Sequence, residues 1–267
     1  MNALHLLLRY IQTSLKAQFQ YPGSVVMLGF AQFLATAIEV IAIWGLFERF
    51  GVVKGWRFGE VCLFYGLVSL SFALSEFLTR GFDVFGTEFV RSGGFDRILL
   101  RPRSAALQLI GHDFRLSRLG RVLQAAMILT LATTTLPLAW DARMVAIAAW
   151  ATTGGVALFM GILILQATLA FWTVESLEVA NVLTHGGVQA GQFPLSLYSA
   201  WLRNFLIYIV PIGCVAYYPA LAILSRSDPL GAPDWWLPVA PALGFVFLAV
   251  SFLAWRMGVA RYTSTGT

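Results

Sequence analysis

Two carboxylates, Glu39 and Glu76, lie inside long apolar stretches of this 267-residue chain. An ionisable group at membrane depth is costly, so it marks a substrate contact, a gate or an ion pair. Glu76 stands four residues before Arg80, the favoured order for a helical ion pair near a helix end, which predicts a structural role. Glu39 has no such local partner and is free to meet a polar group on another helix or subunit. Its role, structural or functional, is open on the sequence alone. Other chemistry is sparse. His5, His112 and His185 all fall in segments expected at or outside the membrane surface, and Cys62 and Cys214 fall inside apolar runs as small core residues. No H-E-x-x-H, G-x-S-x-G or Cys/His spacing occurs, so neither a metal site nor a hydrolytic nucleophile is expected.

A second constellation is cationic. The stretch RSGGFDRILLRPRS, residues 91–104, carries Arg91, Arg97, Arg101 and Arg103 between two greasy segments. Gly93 and Gly94 can end one helix and reset the backbone. Phe95, Ile98 and Leu99 then give an apolar edge beside Asp96, Arg97 and Arg101, and Pro102 closes the short helix. A small surface helix with an apolar and a charged face suits a groove on a soluble partner. The competing role for these arginines is orientation and contact with anionic headgroups, at about 1 kcal/mol each.

The elements that position these groups follow from composition. The chain is 58% hydrophobic and 12% charged, against about 25% charged for a soluble domain. Its apolar runs of some 20 residues lack strand-like alternation, so the expected fold is an all-α membrane protein forming one domain over residues 1–267. Windows of that length predict six transmembrane helices near 24–47, 59–79, 122–140, 144–170, 204–224 and 237–255, with Pro211 kinking the fifth. Thirteen Lys and Arg residues fall in one alternating set of connecting segments and five in the other. Positive-inside then places both termini in the cytoplasm. The net charge of +5 is thus a signal of topology, not of nucleic acid.

Leu4, Leu8, Ile11, Leu15 and Phe19 recur at helical spacing, which predicts an N-terminal amphipathic interfacial helix over residues 1–21 and no cleavable leader. The loop 80–121, between spans 2 and 3, holds eight of the eighteen basic residues together with Asp83, Glu88, Asp96 and Asp113. Residues 173–203 read as two short helices at the cytoplasmic surface, broken near Gly186, Gly187 and Pro194. Gly154, Gly155 and Gly161 predict close helix contacts in the fourth span.

Glu88 followed by RSGGFDRILLRP, residues 91–102, resembles the segment between the second and third spans of ABC-2 type transporter permeases. Gly191 to Leu224, GQFPLSLYSAWLRNFLIYIVPIGCVAYYPALAIL, is similar to a second signature of a bacterial branch of that group. The resemblance implies a coupling helix seated in a cleft of a cytoplasmic ABC ATPase subunit, with Glu88, Arg91, Gly93, Gly94, Asp96, Arg97, Leu99, Leu100, Arg101 and Pro102 at the contact. It further implies two copies of that ATPase, a second permease subunit, identical or related, and a multi-pass location in the bacterial cytoplasmic membrane. ATP and Mg would bind the partner ATPase, with no cofactor on this chain, since no G-x-x-x-x-G-K-[ST] occurs in it. The function so implied is a non-catalytic permease subunit of an exporter, with Glu39, Glu76 and Pro211 as candidates for the substrate path or gate. The many phenylalanines suit an apolar or amphipathic solute, and import is compatible with the same residues. An intramembrane enzyme and a passive channel or assembly subunit are the alternatives; the first would need ionisable or nucleophilic groups converging at depth, the second a ring-forming polar stripe or a charged constriction.

Overall fold

The computed structural model describes residues 22–110, 118–173 and 182–263, with Gln12, Lys16, Gln20 and His112. The helix expected over residues 1–21 otherwise lies outside the described residues. In chain order the α-helices are α1 (Pro22–Phe50), α2 (Phe58–Asp83), α3 (Gly94–Leu99), α4 (Ala105–Ile110), α5 (Leu119–Thr135) and α6 (Ala142–Leu169). They continue as α7 (Gly187–Gly191), α8 (Ala200–Asn204), α9 (Ile212–Val215), α10 (Tyr217–Leu224), α11 (Trp236–Val239) and α12 (Ala242–Ala260). Wider π-type turns occupy Phe85–Val90, Val182–Gly186 and Phe205–Ile209.

Local chemistry sets the ends of the long helices. Glu60 in the first turn of α2 accepts the Arg57 backbone N–H at 2.8 Å, satisfying a donor that no helical carbonyl can reach. Asp141 caps α6 by accepting from Met144 N at 2.7 Å. Between α1 and α2, Gly51, Lys54 and Gly55 adopt left-handed backbone angles and fold the chain back with Trp56 buried beneath.

Six transmembrane helices do not form among the described residues. Among the described residues, four helices are long and apolar enough to cross a membrane, within Val26–Phe50, Phe58–Val90, Ala142–Leu169 and Trp236–Ala260. A fifth exists only if the pair Ala200–Ile209 and Ile212–Leu224, bent by 72°, counts as one. The expected third span fails on length. α5 stops at Thr135 after 17 residues because Leu136 turns extended ahead of Pro137, and Leu138–Trp140 leave the helix. At 1.5 Å per residue that is about 25 Å, short of a hydrocarbon core of about 30 Å. The expected fifth span breaks at Val210 and Pro211, where the missing proline N–H ends the ladder.

Residues 182–199 depart from expectation too. They lie along α2 and not as a separate surface layer: Gln192 Nε2 donates to Ser69 Oγ at 3.2 Å and Trp56 Nε1 donates to Ser196 Oγ at 3.0 Å. Gly187 and Gly191 let this segment close on Ile212 and Val68. Its mixed polarity suggested an interface with water, but part of that polarity is satisfied by α2.

The main core packs α2 against α5 and α6, and α6 against α12. Small residues set the approach. A Cβ on Gly154 would fall 2.4 Å from the Pro241 carbonyl oxygen, one on Gly155 2.3 Å from Ser71 Oγ, and one on Gly161 2.7 Å from Phe247 Cδ1. The glycines singled out in the fourth span are therefore contact points. By contrast α1 leaves Met27, Phe30, Ile38 and Trp44 exposed and touches mainly α5.

Candidate functional site

Two sites are built on this frame, one at the loop beyond α2 and one between the helices. α2 leaves helical geometry at Thr79 and ends at Val84, and Phe85–Val90 make a wider turn. Ser92 Oγ donates to the Glu88 carbonyl at 2.5 Å and accepts the Gly94 N–H at 3.3 Å. Gly93 takes a φ of 66°, a left-handed angle that suits glycine, and so starts α3. Beyond α3, Gln108 Nε2 of α4 donates to the Ile98 carbonyl at 3.1 Å and the Arg103 carbonyl at 3.3 Å. The turn carrying Arg101, Pro102 and Arg103 is thereby tied to α4.

The two faces of α3 differ from the sequence expectation in one respect. Phe95 and Ile98 point inward, but Leu99 and Leu100 point outward, Leu100 with 85% of its surface exposed. Phe95 enters an aromatic cluster around Phe85, whose ring centroid lies 4.9 Å from that of Phe95, 5.0 Å from Trp255 and 5.2 Å from Phe171. Leu163, Ile164 and Ala167 of α6 complete this second core. α3 is thus keyed to the ends of α2, α6 and α12. The outer surface carries Glu88, Arg91, Arg97, Leu99, Leu100, Arg101, Pro102 and Arg103, all exposed, with Gly94 buried beneath. Asp96 is half-buried and faces Tyr262, just beyond α12; burial first, and then this carboxylate, raise the Tyr262 hydroxyl above the ordinary tyrosine range.

The two intramembrane acids acquire partners that are distant in sequence. Glu76 does not pair with Arg80, which binds Asp83 instead. Glu76 takes Arg118 at 3.5 Å and Arg121, both from the start of α5, while Arg118 Nη1 also donates to the Glu76 carbonyl at 2.8 Å. Burial pushes the Arg118 guanidinium below its ordinary pKa, and the Glu76 carboxylate opposes that shift. Glu39 Oε2 accepts the Tyr65 hydroxyl at 2.7 Å, across from α1 to α2.

Glu39 and Arg121 then line one cavity of about 250 Å³. α2 contributes Tyr65, Ser69 and Phe72 to it, α5 Arg121, Gln124 and Ile128, and the segment along α2 His185, Val188 and Gln192. Within each element these positions recur at three or four residues, so each presents one helical face. That spacing of Tyr65 with Ser69, Arg121 with Gln124, and His185 with Val188 is the signal that could have found the cavity in the sequence. Pro211 does not line it; its break positions Ile212 against Gly187 and Gly191. No group of three or more His, Cys, Asp or Glu residues able to hold a metal occurs among the described residues.

Long apolar helices packed through glycine contacts define a multi-pass helical membrane protein. Its sequence agrees with a known group: the profile described as ABC-2 family transporter protein matches residues 33–266, and the chain belongs to that family. No curated protein and no solved structure matches it.

Proposed function

We propose that this transport protein is the membrane-spanning, non-catalytic subunit of an ATP-driven exporter of an amphipathic solute, placed in the bacterial cytoplasmic membrane. ATP and Mg are held by two separate cytoplasmic ATPase subunits, and a second permease subunit, identical or related, completes the pathway. The observation that carries the reading is the two-faced loop. An outward surface with Leu99 and Leu100 amid Arg91, Arg97 and Arg101 is fixed by an inward aromatic key to α2, α6 and α12. A soluble subunit gripping such a surface can shift three helices at once, because a packed core transmits displacement instead of absorbing it. The apolar pair enters a groove while the arginines set register with acidic groups around it.

The test is copurification. Leu100→Asp and Arg97→Glu, both at exposed positions, are expected to remove at least nine-tenths of the associated ATPase while the protein inserts and unfolds as wild type does. Retention of the ATPase by both variants would remove this role from the loop.

A further inference from the structure

We propose that the cavity between α1, α2 and α5 receives the cationic headgroup of the cargo, a protonated amine on an amphiphile, with Glu39 as its counter-ion. The inference rests on the transport reading above, because it assigns the cavity to cargo. Charge decides the sign. Arg121, the cationic side chain of the lining, is engaged by Glu76. Glu39 is the lining carboxylate; it accepts from the neutral Tyr65 hydroxyl and makes no ion pair among the described residues. An entering ammonium therefore finds a carboxylate that no cationic side chain among the described residues engages, whereas an entering anion must compete with Glu76 for Arg121.

The walls agree with that sign. Phe72 and Tyr65 supply aromatic faces, to which a cation is attracted by the ring quadrupole, while Ser69 and Gln192 add hydrogen-bonding groups. Size narrows the class. About 250 Å³ is below the 300–1,000 Å³ typical of sites for whole drug-sized molecules. It suits a headgroup, with the apolar remainder left along α1, where Leu34 and Ile38 are exposed.

The experiment uses the full chain in nanodiscs and three probes of like shape at pH 7: benzylammonium, phenylacetate and benzyl alcohol, titrated by saturation-transfer NMR. Benzylammonium is expected to bind in preference to both others, and Glu39→Gln to weaken it at least tenfold. Glu39→Asp keeps the charge and is expected to retain the preference for the cation, which separates loss of charge from loss of fold. Preference for phenylacetate, equal binding of benzyl alcohol, or unchanged affinity in Glu39→Gln each overturns the assignment. These readouts need no ATPase. Failure of the ATPase to copurify would defeat the transport reading while leaving amine binding measurable, and failure of amine binding would leave the coupling surface untouched.

Discussion

Arg121 and Glu76 form an ion pair that joins the cavity to the loop. Arg121 lines the space that holds Glu39, and Glu76 sits on α2 seven residues before Asp83, where that helix ends. Arg118 closes the cluster from the same end of α5. The ion pair thus connects the cavity wall to the helix whose end carries the loop.

The cluster is unequal in its dependence on each member. Removing Glu76 leaves Arg118, whose side chain is 9% exposed, without its neutralising carboxylate. A broken buried pair costs about 3–5 kcal/mol, and the greater exposure of Arg121 lowers the figure for the cluster. Glu76→Gln is expected to destabilise by about 2–4 kcal/mol, and Arg121→Gln by under about 1 kcal/mol, since Arg118 still balances Glu76. Thermal unfolding in detergent reads the difference; equal effects would contradict the assignment.

Helix contact at glycine gives a second contrast. A Cβ on Gly244 would lie 2.0 Å from the Gly154 carbonyl oxygen, whereas one on Gly45 would meet nothing within 4 Å. Gly244→Ala or Gly154→Ala should overpack the α6–α12 crossing by about 1–3 kcal/mol, and Gly45→Ala should be neutral or slightly stabilising. The same unfolding assay checks both.

Gln108 ties the turn after α3 to α4. Gln108→Leu deletes the donor to the Ile98 and Arg103 carbonyls and should loosen the turn without disturbing the spans. Trypsin cleavage after Arg103, which precedes Ser104, is expected to quicken severalfold at unchanged thermal unfolding. An unchanged cleavage rate would mean that the aromatic key alone fixes the turn.

Sidedness is open to direct labelling, because both native cysteines are buried. A cysteine at Leu100 should react with an impermeant maleimide only in inside-out vesicles, and one at Asp234, between α10 and α11, only in right-side-out vesicles. Labelling of both from the same side would contradict the orientation derived from the basic residues.

What the sequence made legible was the chemistry written in neighbours. The turn at Gly93 and Gly94 and the inward Phe95 and Ile98 of α3 follow from local spacing, though Leu99 does not share their face, and the contacts of Gly154, Gly155 and Gly161 follow likewise. What it hid depends on residues far apart. Glu76 four before Arg80 looked like a local pair, but Arg118 and Arg121, more than 40 positions on, reach it from the start of α5. Hydropathy alone extended the third span past Leu136, where Pro137 ends the helix. The mixed polarity of His185 to Ser196 suggested a surface, because hydropathy cannot distinguish a group bound to water from one bound to Ser69 or Trp56.

The most direct test of the central claim is to purify the tagged protein from its native membrane in mild detergent, identify what accompanies it by mass spectrometry, and assay vanadate-sensitive ATP hydrolysis. A stoichiometric P-loop subunit with activity, lost on Leu100→Asp, is the predicted result. A single species without hydrolysis in several detergents would contradict it.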